Sequence, residues 1–274
     1  MKETSDVKAV APPKSREWNS DVYHRVSGPQ VSWGRKVMGR LSLRGDETVL
    51  DAGCGTGRLT RELLEQLPRG AMIAVDQSWN MVQAAARHLA AEFRGRINFV
   101  AADVQHLPFQ SVFHGIFSTA TFHWVPDHEQ LFRSLFGALK PGGWLCAQCG
   151  GFQNLDRLLQ RVTVLSQAPK YAPYLGSYQH AWVYSDAETA ARQMKQAGFV
   201  EVETGLEAAP TPFAGEKEYC EFLENVVLHR HLERIPDREI RERFLKELAE
   251  LAAQDTPPFA LDYWRLNMRA HRPA

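Results

Sequence analysis

Short apolar runs alternate with helical patterns along the first 150 residues. The apolar runs cover residues 48–51, 72–75, 97–100, 115–118 and 144–147. Between them, apolar positions recur at helical spacing near residues 57–67, 79–93 and 127–139. Nearly continuous apolar strands that alternate with amphipathic helices are typical of a parallel sheet covered by helices on both faces. The pattern therefore predicts an α/β fold.

The segments on either side have a different rhythm. Residues 18–44 predict two short helices that are broken at Gly28-Pro29, with Val22 and Val26 among the inward positions. After residue 150 the pattern predicts helices near 153–167 and 186–197, a strand near 199–206, helical segments near 215–234 and 237–253, and a final strand near 259–268. Because those helical segments fall between the last two strands, we expect them to form a small helical cap over the sheet edge.

Charge and cysteine content narrow the function classes. Lys plus Arg and Asp plus Glu both number 32, so a broad nucleic-acid or membrane footprint is not expected. No apolar run approaches the roughly 18 residues of a membrane span. Residues 1–17 have no apolar core of a signal peptide and predict a flexible leader. Four scattered cysteines favour a reduced, cytoplasmic location, and Cys146 and Cys149 have no second pair with which to hold a metal.

A glycine-rich turn follows the first strand. Asp51 ends that strand, and glycines stand at 53, 55 and 57 before a helix begins. Glycine lets a ligand approach the main chain, and the first loop of such a sheet is where nucleotide-like ligands bind. The dinucleotide spacing would require glycine at position 58, where this chain has Arg58. The spacing therefore indicates a different nucleotide-like ligand.

The next strands also end in polar residues. Asp76 ends the second strand, where a carboxylate can accept hydrogen bonds from both ribose hydroxyls. Asp103 ends the third strand in a position suited to an adenine amino group, with Val104 beside it, and Thr119 ends the fourth. Because the carboxyl ends of parallel strands meet at one edge of the sheet, these groups predict a single binding crevice.

The segment Val49-Leu50-Asp51-Ala52-Gly53-Cys54-Gly55-Thr56-Gly57 resembles motif I of the class I S-adenosylmethionine-dependent methyltransferases. The resemblance extends through Val75-Asp76-Gln77-Ser78, Ala102-Asp103 and Leu139-Lys140-Pro141-Gly142-Gly143, and it covers roughly residues 48 to 150. It implies a Rossmann-like, mostly parallel seven-stranded sheet in the order 3-2-1-4-5-7-6, with the seventh strand antiparallel. It also implies S-adenosyl-L-methionine as cofactor and S-adenosyl-L-homocysteine as product.

The same resemblance assigns roles to individual residues. It implies that Asp76 holds the ribose, that Asp103 and Val104 contact the adenine, and that the N-terminal helices fold over the cofactor. The methionine moiety would contact Asp51, Gly53, Cys54, Gly55, Thr56 and Gly57. The adenosine pocket would include Gln77 and Met81, and the covering helices would contribute Tyr23 and Gln30. The chain then divides into the leader, a cofactor-binding part over 18–150, and a sheet edge with cap inserts over 151–274.

Within that family the flanking segments look most like trans-aconitate methyltransferases and malonyl–carrier-protein methyltransferases. Trp18-Asn19, Tyr23 and Trp124-Val125-Pro126-Asp127-His128 carry this likeness. The turn Leu107-Pro108-Phe109 is also similar to quinone-biosynthesis methyltransferases. His123 stands where the first group usually has Gln.

The leading hypothesis is therefore methyl transfer to a small-molecule acceptor, with a carboxylic acid as one candidate. His123 follows the fourth strand and is the candidate general base, while Trp124 is expected to form a pocket wall. Tyr178, His180 and Trp182 lie in an aromatic loop and are candidates for substrate contact. The alternatives are a nucleic-acid or quinone-precursor methyltransferase and a non-catalytic module that binds S-adenosylmethionine. We expect a monomer or dimer with no nucleic-acid or membrane partner.

Overall fold

The computed structural model describes residue 18 and residues 20–274, so the expected leader over 1–17 and Asn19 lie outside the described residues. The side chain of Val26 is likewise outside this description. Seven strands form one sheet. They are β1 (Thr48–Ala52), β2 (Ala71–Asp76), β3 (Ile97–Ala101), β4 (Phe113–Thr119), β5 (Leu139–Gly150), β6 (Val200–Ala208) and β7 (Trp264–His271).

Except for the one-turn helix α7, which falls in the segment predicted as an aromatic loop, the helices occupy the predicted segments, with shorter bounds. Those before β5 are α1 (Ser20–Val26), α2 (Gly28–Met38), α3 (Arg58–Glu65), α4 (Trp79–Leu89) and α5 (His128–Ala138). Those after β5 are α6 (Asp156–Ser166), α7 (Ala172–Leu175), α8 (Ala187–Gln196), α9 (Glu216–Phe222), α10 (His229–Leu232) and α11 (Arg238–Ala252). The boundary between α1 and α2 lies at Ser27-Gly28, as the Gly28-Pro29 break predicts.

The predicted strand order is confirmed. In these labels the sheet runs β3-β2-β1-β4-β5-β7-β6, and β7 is antiparallel to both of its neighbours. The first five strands are parallel, so their carboxyl ends lie on one edge. At that edge Gly150 of β5 pairs with Arg265 of β7. The start of the last strand therefore lies beside the polar residues that follow the parallel strands.

Two predicted boundaries are wrong, each for a physical reason. The predicted final strand over 259–268 begins too early, because Ala260–Leu261 pairs instead with Thr211–Pro212 in a separate two-stranded ribbon. The predicted helix over 215–234 is interrupted by a π-helical turn at Leu223–Val227. Apolar residues continue through both irregular segments, so hydrophobic periodicity alone does not reveal them.

The helical segments between β6 and β7 pack together with α6 and α7. Their shared core contains Leu158, Tyr171, Leu223, Phe244 and Leu248, all of which are buried. The π-helical turn also contacts α1, so the cap and the N-terminal helices meet. Together they cover the edge formed by the carboxyl ends of the parallel strands. Within the described part of the chain, every helix is too short or too polar to cross a membrane.

Candidate active site

A cavity of about 420 Å³ lies between the strand ends and the cap. A smaller cavity of about 50 Å³ adjoins it beneath the glycine turn. The predicted residues that line the large cavity are Tyr23, Gln30, Gly53, Gly55, Asp76, Gln77, Met81, Asp103, Val104, Thr119, His123, Trp124 and Trp182. Asp51, Cys54 and Thr56 line the smaller cavity. Gly57, Tyr178 and His180 line neither of the two.

The three glycines of the turn differ in what they do. All have positive φ, at 92°, 54° and 86° for Gly53, Gly55 and Gly57. A Cβ on Gly53 would lie 2.0 Å from Oγ1 of Thr121, and one on Gly57 would lie 2.8 Å from Cδ1 of Leu89. A Cβ on Gly55 would meet nothing within 4 Å. Gly53 and Gly57 therefore allow close internal packing, whereas Gly55 leaves the main chain open to the cavity.

Asp76 links the glycine turn to the second strand. Its Oδ2 accepts a hydrogen bond from the Gly55 N–H at 2.9 Å, and its Oδ1 accepts one from the Ser78 N–H at 2.9 Å. Each carboxylate oxygen can accept more than one hydrogen bond. The carboxylate is thus held in a fixed orientation at the cavity wall, as recognition of a pair of vicinal hydroxyls requires.

Asp51 lies deeper, at the end of β1, and is 3% exposed. Its Oδ2 accepts a hydrogen bond from the Thr60 hydroxyl at 2.6 Å. Burial raises the pKa of Asp51 to about 7, and the nearby charge of Asp76 adds to this, while the Thr60 hydrogen bond opposes it. A carboxyl group of this kind changes its charge near neutral pH and responds to any charged group that is placed beside it.

Asp103, Val104 and Gln105, which follow β3, also line the large cavity. Oδ1 of Asp103 accepts a hydrogen bond from the Gln105 N–H at 2.9 Å, and the Gln105 amide donates to Oδ2 at 3.0 Å. Val104 and Met81 are buried beside it and supply an apolar surface. A carboxylate acceptor next to an apolar surface suits a flat heteroaromatic ring that carries an exocyclic amino group.

The N-terminal helices close the side above the glycine turn. Tyr23 of α1 and Gln30 of α2 line both cavities. The buried Oε1 atom of Gln30 has no hydrogen-bond donor among the described residues. His24 ties α1 to the turn, because its Nδ1 lies 2.8 Å from the Thr56 hydroxyl. The unpaired amide oxygen indicates that a ligand in the cavity would receive a further hydrogen bond there.

His123 and Trp124 lie in the turn after β4, and both line the large cavity. Nδ1 of His123 accepts a hydrogen bond from the Gly150 N–H at 3.2 Å. Its ring stacks on Tyr184 at 6.0 Å, and Trp124 packs edge-on against Trp182 at 5.4 Å. An imidazole that already accepts at Nδ1 carries its proton on Nε2 when it is neutral. At Nε2 the neutral ring therefore offers a donor.

Tyr178 and His180 pack behind the cavity wall. Tyr178 meets His231 edge-on at 4.7 Å and lies under the Arg234 guanidinium at 4.9 Å. His180 stacks on Trp182 at 4.8 Å. Of the three predicted loop residues, the structure brings only Trp182 to the large cavity, and the other two support it.

Arg265 also lines the large cavity, although it is not among the site residues predicted from the sequence. It is 3% exposed, and its Nη2 donates a hydrogen bond to Oδ1 of Asn154. Burial lowers the pKa of its guanidinium, yet an arginine remains charged at neutral pH. The signal that could have revealed it is a charged residue inside an apolar strand pattern, because arginine is rarely buried without a partner.

Comparison with known proteins agrees with this geometry. A family model described as "Methyltransferase domain" matches residues 49–143. A trans-aconitate 2-methyltransferase of Deinococcus radiodurans is 27% identical, with 80% of this chain and 83% of that protein covered. A malonyl-[acyl-carrier protein] O-methyltransferase of Calditerrivibrio nitroreducens is 32% identical over 48% of this chain and 51% of its own length.

A solved structure shares the fold. It is phosphoethanolamine N-methyltransferase 2 of Haemonchus contortus, which matches with a TM-score of 0.61 and 17% identity. The match covers 93% of this chain and 57% of that one. The matched family model spans the glycine turn and the strand ends described above. Residues 49–143 thus correspond to a methyltransferase domain, and the chain as a whole is similar to trans-aconitate and malonyl–carrier-protein methyltransferases.

Proposed function

We propose that this enzyme transfers the methyl group of S-adenosylmethionine to a carboxylate oxygen of a small organic acid, giving a methyl ester. The observation that carries the proposal is the hydrogen bond from the Gly150 N–H to Nδ1 of His123. It leaves the neutral imidazole with a donor at Nε2. We call the part of the cavity lined by His123, Trp124 and Trp182 the acceptor end, because the methyl acceptor would lie there. Such a donor suits an oxygen that is already ionised, and it does not suit an acceptor that must lose a proton.

The cofactor residues are part of the same proposal. Asp76 would bind the ribose hydroxyls, Asp103 and Val104 the adenine, and Gln77 and Met81 the surrounding adenosine surface. The methionine moiety would lie over Asp51 and the glycine turn, from Gly53, Cys54 and Gly55 to Thr56 and Thr119, under Tyr23 and Gln30. The open position at Gly55, the two main-chain donors that orient Asp76 and the unpaired oxygen of Gln30 support this placement. Gly57 would contribute through packing.

The chemistry needs little from the protein beyond alignment. When bound, the cofactor supplies a methyl group on a sulfonium sulfur, and the neutral thioether that remains is a good leaving group. In the transfer, a carboxylate oxygen would form the new C–O bond while the C–S bond breaks, and the electron pair would stay on the sulfur of the departing S-adenosylhomocysteine. Holding the two reacting groups in line can contribute roughly 7–11 kcal/mol. Within this scheme, Trp124 and Trp182 would exclude water, and Nε2–H of His123 would orient the acceptor.

The names of the relatives support a carboxylate acceptor, since trans-aconitate and malonyl groups both carry one. A phenolic quinone precursor is the second candidate, and it would require a base to remove the phenol proton. We also propose a cytoplasmic monomer or dimer without a nucleic-acid partner. The equal counts of acidic and basic residues support the absence of a nucleic-acid partner.

The proposal is tested by product analysis. Purified enzyme is incubated with methyl-labelled S-adenosylmethionine and, in turn, trans-aconitate, malonyl–carrier protein, simple dicarboxylates and phenolic quinone precursors. We expect a methyl ester that mild alkali hydrolyses. A label that survives alkali as an aryl ether would favour the phenolic candidate. S-adenosylhomocysteine binding without transfer to any acceptor would favour the non-catalytic module.

A further inference from the structure

The strongest unexplained feature of the cavity is the way in which Arg265 is held. Its guanidinium lies 4.4 Å from the ring centre of Trp33 and 4.8 Å from that of Tyr263. Nε donates to the Trp264 carbonyl at 3.2 Å, and Nη2 donates to Oδ1 of Asn154. Asn154 is itself 1% exposed and also accepts a hydrogen bond from the Trp264 N–H at 3.0 Å. Two aromatic faces and two acceptors therefore fix the guanidinium plane.

The positive charge in this arrangement is not neutralised by the described part of the chain. Its side-chain hydrogen bonds go to a main-chain carbonyl and to an amide oxygen, and neither acceptor is a carboxylate. Nη1 has no hydrogen-bond acceptor among the described residues. By contrast, Arg161 in the cap meets Asp255 with both terminal nitrogens, at 2.8 and 2.7 Å. Burying a cation costs free energy unless an anion accompanies it. An anionic ligand bound beside Arg265 would offset that cost.

The position of Arg265 places that anion at the acceptor end of the cavity. Arg265 pairs across the sheet with Gly150, whose N–H donates to His123. Tyr184, which stacks on His123, lines the same wall as Asn154 and Arg265. The predicted cofactor acids Asp76 and Asp103 belong to β2 and to the turn after β3, on the other side of β1 and β4. The cation therefore lies toward the acceptor rather than toward the adenosine.

We infer that Arg265 binds a carboxylate of the methyl acceptor and thereby selects anionic acceptors over their neutral analogues, with Asn154 as the residue that positions it. The inference rests on the proposed function. An arginine fork matches the two oxygens of a carboxylate, and the contact is strong in a water-poor cavity. The aromatic faces hold the cation in the absence of the acceptor, since cation–π contacts offset part of its desolvation.

The sharpest test is Asn154→Asp. This nearly isosteric change keeps an oxygen where Asn154 accepts its hydrogen bonds, and it places a negative charge against Arg265. The acceptor then competes with an internal carboxylate. We expect the affinity of the enzyme–S-adenosylhomocysteine complex for trans-aconitate, measured by calorimetry, to fall roughly tenfold to a hundredfold, as for loss of a charge-assisted hydrogen bond. The preference for trans-aconitate over its trimethyl ester should fall with it, while S-adenosylhomocysteine affinity stays unchanged.

Arg265→Lys provides a second variant that keeps the charge and loses the fork, and it should weaken trans-aconitate binding in the same direction. Arg161→Lys is the matched control, because that arginine has its own carboxylate partner and does not line the cavity. Unchanged trans-aconitate affinity in folded Asn154→Asp and Arg265→Lys proteins would overturn the inference. So would a wild-type complex that binds none of trans-aconitate, malonate or fumarate. A loss confined to Arg230→Gln, the other arginine on the cavity wall, would also overturn it.

Failure of this inference and failure of the proposed function look different. If trans-aconitate binds through Arg265 but no carboxylic acid is ever converted to a methyl ester, the anion site stands and the proposed reaction is wrong. If methyl esters form and Asn154→Asp leaves the acceptor KM unchanged, the reaction stands and Arg265 is a structural residue.

Discussion

Asp51 and Asp76 lie at the carboxyl ends of the adjacent strands β1 and β2, yet the surroundings of their carboxyl groups differ. Asp76 lines the large cavity, and each of its oxygens receives one main-chain N–H. Asp51 is almost fully buried and has a single hydroxyl donor, so its pKa is raised to about 7. One group is thus fixed as an acceptor for a ligand, and the other is a buried acid whose charge depends on pH.

We expect Asp76→Ala to weaken S-adenosylhomocysteine binding roughly tenfold to a hundredfold, the effect of losing a charge-assisted acceptor. Calorimetry measures this directly. Asp127→Ala is the control, because Asp127 caps α5 by accepting from the Gln130 N–H and does not line the cavity. That control should lose about 1 kcal/mol of stability and keep its affinity. Equal affinities in wild type and Asp76→Ala would contradict the ribose assignment.

The raised pKa of Asp51 predicts a pH-dependent stability. The unfolded chain releases this proton near pH 4, whereas the folded protein retains it until about pH 7. Between those values the folded state binds more protons, so the contribution of Asp51 to stability falls as pH rises. In the absence of cofactor, the melting temperature of Asp51→Asn relative to wild type should therefore increase from pH 5 to pH 8. Asp127→Asn controls for the loss of one negative charge, and a constant difference for Asp51→Asn would contradict the prediction.

At the scale of elements, the strands were predictable because the alternation of apolar runs and helical patterns is a local signal, whereas their order was implied by the resemblance to the methyltransferase family. The residues at which helices and strands begin and end were less predictable. Strand β5 starts at Leu139, directly after α5 ends at Ala138, and it includes the Pro141-Gly142-Gly143 turn. The predicted strand covered only residues 144–147, because proline and glycine indicate a break. Leu139 pairs with Phe113 of β4, and pairing with β4 and β7 resumes at Trp144. Between them, Gly142 and Gly143 form main-chain hydrogen bonds with Arg272, so contacts distant in the sequence override the local preference for a break.

Helix α1 offers a prediction at this scale, because a partly buried side-chain contact joins it to the glycine turn. His24 Nδ1 lies 2.8 Å from the Thr56 hydroxyl, and burial lowers the pKa of His24, with His88 and Arg58 adding to this. We expect His24→Ala to accelerate amide exchange across α1 and to leave the rest of the sheet protected. Arg25→Ala is the control, since that neighbouring side chain is 67% exposed in its pair with Glu221 and should contribute little. Equal exchange in both variants would show that His24 does not hold α1.

At the scale of the whole molecule, the proposed cofactor end and the proposed acceptor end of the cavity differ in how far the sequence can predict them. Asp51, Asp76 and Asp103 lie at or just beyond the carboxyl ends of β1, β2 and β3, so their meeting at one edge follows from a parallel sheet. The acceptor end combines segments distant in the chain, namely the turn after β4, Asn154 after β5 and Arg265 at the start of β7. Only the antiparallel insertion of β7 between β5 and β6 brings these segments together. A burial pattern along one strand does not contain that information.

This convergence gives a final prediction, which concerns catalysis by the assembled site. If the acceptor is a carboxylate, it is ionised well below neutral pH. With saturating S-adenosylmethionine, kcat should then vary less than about threefold between pH 6.5 and 8.5, because no proton must be removed. His123→Gln should keep more activity than His123→Ala, since the glutamine amide can replace the Nε2–H donor. A limb rising with pH, together with equal loss in both variants, would instead identify His123 as a general base and favour the phenolic acceptor.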